Sequence, residues 1–148
     1  MASALVGTLV LPDGAELRGR GLGRPQPEGP DPDYGLYLGS NRLRRRHDAG
    51  LGWDHDWIRW PDFLLPLDWS DARRRILGLH SRALAGEAVE VACHGGVGRT
   101  GTVLACLATA SGLAPDEAVA WVRENHHHRA VETAWQRRWV RWFAQAGS

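Results

Sequence analysis

No lysine occurs in this chain: all eighteen basic side chains are arginine. We read this as biased codon composition, since the runs Arg44-Arg45-Arg46 and Arg73-Arg74-Arg75 suit solvated faces rather than a docking site for an acidic partner. A formal net charge of +1 gives no overall pull toward nucleic acid or a membrane. Two cysteines cannot build a disulfide framework, which fits a reducing compartment. Long apolar runs are missing as well. No stretch approaches the ~18 residues of a membrane span, and Met1 to Gly7 lacks the basic and apolar regions of a leader, so the expected location is cytoplasmic. His126-His127-His128 stands without a carboxylate or cysteine set at ligand spacing, and adjacent side chains diverge, so no metal or other cofactor is expected.

What is present suits one core. The chain has 148 residues and 43% hydrophobic content, which predicts a single domain over 1–148, with N-terminal strands and a proline-rich loop over 1–33 and the main body over 34–146. Ala4 to Leu11 and Glu16 to Leu22 read as strands joined at Pro12-Asp13-Gly14, and Arg24 to Asp33 as loop. Tyr34 to Leu38 and Trp57 to Trp60 are further strands, with a polar loop or short helix between them. From Asp71, apolar positions Ala72, Ile76, Leu79 and Ala83 step at helical spacing toward Gly86. The strand Ala88 to Ala92, a buried helix over Thr102 to Ala110, and a helix opening at Pro115 follow. Thr133 and Gln136 form a capping box before a last amphipathic helix. The pattern predicts an α/β fold with a central mixed sheet flanked by helices. Among the eight tryptophans, Trp121, Trp135, Trp139 and Trp142 are expected in the core, and Trp53, Trp57 and Trp60 as walls of a pocket.

Val91-Ala92-Cys93-His94-Gly95-Gly96-Val97-Gly98-Arg99-Thr100-Gly101 concentrates the chemistry. Glycines let successive N–H groups from His94 to Gly98 converge near the sulfur, where the next helix also presents its N-terminus. A dianionic phosphate suits that nest, and the planar fork of Arg99 grips two of its oxygens. A helix N-terminus with a neighbouring cation brings a thiol from ~8.5 into the range of roughly 3.5–7.5, so Cys93 is expected to be a thiolate at neutral pH. Attack on phosphorus gives a phosphocysteine, and the Thr100 hydroxyl can stabilise the sulfur as it leaves. Cys106 sits among Leu104, Leu107 and Ala108, and its expected work is packing.

Cysteine, five residues, arginine, then serine or threonine resembles the signature of the cysteine-dependent protein tyrosine phosphatase superfamily, at its compact, dual-specificity-sized, bacterial-type end. Trp60-Pro61-Asp62-Phe63, with Pro66, resembles the mobile loop carrying the family's general acid. Val131-Glu132-Thr133-Ala134-Trp135-Gln136 resembles the segment that orders a water beside the phosphate. Together these blocks cover roughly residues 57 to 143. The resemblance implies a phosphate monoester hydrolase acting on phosphotyrosine in a protein or peptide. Phosphoserine, phosphothreonine or a non-protein ester is the alternative, and a phosphate-binding module without turnover is the reading from another class. Expelling an alkoxide or phenoxide needs a proton, worth ~10²–10⁴-fold, and Asp62 is the candidate donor, desolvated by Trp60, Phe63 and Leu64. Asp68 is the second candidate, although it reads more naturally as a helix start. The family's water-ordering glutamine implies Gln136, but alignment on Thr133 puts Glu132 at that place. Ala92 stands where many members carry a supporting histidine, and His94 is expected to line the pocket. Oligomeric state is not legible.

Overall fold

Residues 5–146 are described by a computed structural model; the start of the first expected strand, at Ala4, lies outside them. Among the described residues, five strands form one sheet in the order β1 (Leu9–Val10), β2 (Glu16–Gly21), β5 (Val89–Cys93), β3 (Tyr34–Gly39), β4 (Asp54–Arg59). Only β1 and β2 pair antiparallel; β2 with β5, β5 with β3 and β3 with β4 are parallel, which makes the sheet mixed. The hairpin expected near Pro12 is present but shorter than its apolar pattern suggested, because β1 has only two residues. In the sheet order β2 lies beside β5, the strand that ends at Cys93, so residues on both sides of position 33 share one sheet.

Alternation along the strands sorts the two faces. Leu36, Leu38, Val89, Val91 and Cys93 enter the main core, while Tyr37 and Ala92 belong to a second cluster on the reverse face with Leu22 and Leu51. The main core lies under α2 (Trp69–Leu84), α3 (Gly98–Ala110), α4 (Pro115–Asn125) and α5 (Ala134–Ala146). Helices α2, α4 and α5 begin at recognisable local chemistry. Asp68 caps α2 by accepting from the Asp71 amide at 3.0 Å, and Pro115 opens α4 without needing its missing N–H. Thr133 Oγ1 accepts from the Gln136 amide at 3.1 Å, while Gln136 Oε1 accepts from the Thr133 amide at 3.3 Å, the reciprocal box expected at the start of α5. The segment after β3 resolves into α1 (Asn41–His47), capped by Ser40, and a 3-10 turn. Helix α3 is buried almost all round, as its apolar run requires.

On the reverse face, Glu90 of β5 is fully buried among polar partners. Arg18 Nε and one terminal nitrogen donate to its Oε1 at 2.9 and 2.6 Å. Arg20 donates to both its oxygens at 2.9 and 3.0 Å. The Tyr37 hydroxyl adds a bond to Oε2 at 2.7 Å and itself accepts from Trp53 Nε1 at 2.7 Å. Burial alone would raise the carboxyl pKa, but the bonds from Arg20, Tyr37 and Arg18 outweigh it and hold Glu90 below the usual carboxylate range. Burial, reinforced by the same carboxylate, pushes the Tyr37 hydroxyl far up.

Three expectations about side chains are corrected. Trp135 is 46% exposed rather than core, because it falls on the outer face of the first turn of α5; Trp139 is buried, and Trp121 and Trp142 pack partly buried against the core. Trp60 is buried against Trp139, and Trp53 and Trp57 pack around Tyr37 on the reverse face, so none of the three lines the cleft at Cys93. Of the arginine runs, Arg44 to Arg46 are exposed, but Arg73 donates to the Phe143 carbonyl at 3.2 Å and lies over its ring, and Arg75 pairs with Asp71 and Asp56.

Candidate active site

Strand β5 ends at Cys93 and α3 begins five residues later, so the loop between them crosses the open end of the sheet. Cys93 is buried, and its sulfur accepts from the Gly96 amide at 3.2 Å and from the Thr100 hydroxyl at 3.1 Å. These bonds converge a backbone and a side-chain donor on one sulfur. Gly96 adopts φ +75°, and a Cβ there would meet the Arg20 carbonyl carbon at 2.7 Å, so only glycine fits.

Arg99, in the first turn of α3, is 4% exposed. One terminal nitrogen donates to the Trp60 carbonyl at 3.0 Å, and the other lies 3.4 Å from Asp62 Oδ1. Its Nε is buried without a protein partner among the described residues. Asp62 is thereby brought to the arginine of the loop although thirty-one residues separate it from Cys93. It is not desolvated as the sequence suggested: its side chain is 58% exposed, and Phe63 and Leu64 point their apolar surface outward. The turn that carries it is strained, with Phe63 at φ +59°, and the Trp135 indole N–H donates to the Phe63 carbonyl. Such strain concentrates where a chain segment is held for function.

A cleft of about 190 Å³ opens over the sulfur, bounded by Asp62, Phe63, Cys93, Arg99 and Glu132 together with the loop residues His94, Gly95, Val97 and Gly98. Phe63, not a tryptophan, is its aromatic wall. The structure brings together Cys93, Arg99, Thr100, Asp62 and the loop from His94 to Gly98. It does not bring Gln136 to that wall: the carboxamide is buried, with Oε1 accepting from the amides of Glu132 at 2.9 Å and Thr133 at 3.3 Å. Glu132 occupies the cleft instead, close enough to Gly98 that a Cβ there would overlap its carboxylate. The capping pattern in the sequence already signalled this use of Gln136. Asp68 is taken up in capping α2.

Cys106 is buried in α3, and burial pushes its thiol well up, which suits packing rather than nucleophilic attack. The histidine triplet divides: His126 bonds the Gly96 carbonyl at 2.7 Å, while the rings of His127 and His128 stack at 4.6 Å. No three His, Cys, Asp or Glu side chains gather as a ligand set among the described residues. No described helix is long and apolar enough to cross a membrane.

Comparison with known proteins bears on family and fold. The family model described as "PTP-SAK: Swiss Army Knife protein, DSP-PTPase phosphatase domain" matches residues 70–145. Tk-PTP in its active form superposes over 78% of this chain and 80% of its own, with 28% identity and a TM-score of 0.61. A kinase associated phosphatase with serine in place of its catalytic cysteine covers 78% and 70% at 16% identity and a TM-score of 0.67. PTPMT1 covers 76% of each chain at 15% identity and a TM-score of 0.56. The last two likenesses concern the fold alone. A search of curated proteins finds no match.

Proposed function

The chain belongs to the Swiss Army Knife DSP-PTPase phosphatase domain family, a compact dual-specificity-type branch of the cysteine-dependent phosphatases, and from that premise we propose that it hydrolyses phosphotyrosine in proteins or peptides through a phosphocysteine. The observation that carries this reading is the shared position of the Cys93 sulfur, its Gly96 and Thr100 donors, and the Arg99–Asp62 pair at one cleft.

The thiolate of Cys93 attacks phosphorus as the ester oxygen departs, and that oxygen takes the proton of the Asp62 carboxyl. Arg99 and the amides from His94 to Gly98 hold the three non-bridging oxygens, a preorganised set that strengthens as charge moves onto them. Water then attacks the phosphocysteine, Asp62 takes its proton, and the departing sulfur is stabilised by the Thr100 hydroxyl. Inorganic phosphate leaves and the thiolate returns. No metal or cofactor enters these steps. In the second step Gln136 acts by fixing the backbone of Glu132 and Thr133, and Glu132 borders the water's approach. A narrow cleft with Phe63 along one wall supports a flat aryl ester over a short alkyl one. We take the whole of 1–148 as one phosphatase domain, with β2 as an integral strand.

Steady-state kinetics on matched phosphotyrosine and phosphothreonine peptides test the proposal. We expect kcat/KM to favour phosphotyrosine at least tenfold, and Cys93→Ser to bind orthovanadate without turnover. Equal rates on the two peptides would remove the tyrosine preference. A flat trace for the unaltered protein from pH 5 to 8, with orthovanadate still bound, would instead make it a binding module.

A further inference from the structure

We propose that His126 is a positioning residue of this site: from behind the loop its imidazole fixes the Gly96–Val97 peptide so that the Val97 amide faces the phosphate. The proposal rests on reading the loop as a phosphate cradle.

His126 caps the C-terminus of α4, its own amide bonded to the Val122 carbonyl at 2.8 Å, and its Nε2 lies 2.7 Å from the Gly96 oxygen. A carbonyl only accepts, so Nε2 carries the proton. Burial, opposed by the Gly96 bond and aided by neighbouring His127, keeps the ring below the usual histidine range, which leaves a neutral donor. Space for the ring comes from β2: a Cβ on Gly19 would sit 3.1 Å from His126 Cε1. The imidazole does not reach the substrate. It lines a separate cleft of about 360 Å³ with Arg20, Arg24 and His127; Gly95 and Val97 border both this cleft and the one over the sulfur, whereas Gly96 borders only this one.

The loop needs such a tie at this point. Backbone amides of Leu22 and Gly23 hold the carbonyls of Cys93 and His94 at 2.8 and 2.9 Å, but they stop there. Gly95 and Gly96 follow, the pair for which reversing a peptide plane costs least. In a planar trans peptide the C=O and N–H point in opposite directions. Holding the Gly96 oxygen outward therefore aims the Val97 N–H inward, whereas the reversed plane would present a carbonyl oxygen to an anion. Ala92, directly before the nucleophile, has no side-chain donor to offer. The tie arrives instead from α4, thirty residues downstream of the glycine it holds.

His126→Ala and His126→Gln test this, measured by kcat/KM on an aryl phosphate, by calorimetric affinity for inorganic phosphate, and by thermal melting. Losing one neutral hydrogen bond should weaken both kcat/KM and phosphate affinity about tenfold in His126→Ala, with melting within a few degrees of the unaltered protein. Gln places an amide nitrogen at similar reach and should recover most of both. Free imidazole, entering by the rear cleft, should partly restore His126→Ala. Phosphate affinity within twofold of the unaltered protein in His126→Ala would overturn the proposal, as would a Gln variant no better than the Ala variant, or losses that follow melting temperature alone. If the unaltered protein binds phosphate but hydrolyses no ester, the phosphatase reading fails while the affinity measurements still decide the role of His126.

Discussion

Glu90→Gln keeps the shape of the side chain and removes the charge that two arginines share. Arg18 and Arg20, with side chains 3% and 9% exposed, would then face a neutral amide that cannot accept all five of the present hydrogen bonds. Removing one partner of a buried ionic group costs about 3–5 kcal/mol, because the remaining charge stays buried without compensation. For a domain of this length each kcal/mol lowers the midpoint by about 2–4 °C, so the variant should melt about 6–20 °C lower at pH 7. The pH dependence carries a second signature. Glu90 is held below its ordinary value of 4.5 in the fold, so its contribution is fully present above that value and is lost as pH falls through the folded-state pKa. The gap between the two proteins should therefore narrow on acidification below about pH 4.5. Urea titrations at 25 °C and melts from pH 3 to 7 measure both. A loss under about 1 kcal/mol at pH 7, or a gap that stays constant into acid, would refute the argument.

Asp62→Ala should lower kcat roughly 10²–10⁴-fold on alkyl phosphates and much less on esters with acidic leaving groups, which need no proton; a plot of rate against leaving-group pKa checks this, and equal losses on both classes would remove Asp62 from the acid role. Gly98→Ala puts a methyl group into the Glu132 carboxylate, so the cleft should deform and kcat/KM fall about tenfold or more while melting changes little. Adding Glu132→Ala relieves the overlap, and the double variant should recover activity relative to Gly98→Ala alone if the two groups are coupled.

The loop from Cys93 to Thr100 was legible because a turn that converges donors on one sulfur draws local residue types at fixed spacing. Helix starts at Asp68, Pro115 and Thr133 were legible for the same reason, since capping chemistry lies within four residues of each boundary. Glu90 was not. In the sequence it is one polar position within an apolar strand, and its partners Arg18 and Arg20 come from more than seventy residues away or close to it. Parallel strands buried on both faces give no alternation that marks which face is charged. Trp135, expected in the core, is exposed, and Trp60, expected as a pocket wall, lies in the core, because aromatic residues at helical or strand spacing do not reveal which neighbour covers them. The bond from His126 to Gly96 joins a helix end to a loop, and neither segment's pattern names the other.

With β2 hydrogen-bonded along β5 and its following amides holding the carbonyls of Cys93 and His94, the segment ahead of Tyr34 is not a removable appendage. An abbreviated version beginning at Tyr34 would expose the flank of β5 and free those two carbonyls, while leaving Cys93, Arg99 and Asp62 in place. During synthesis, too, β2 must wait until more than sixty further residues have been made before its neighbour exists. The backbone around Cys93 is thus held by a long-range strand pairing and not by local sequence alone.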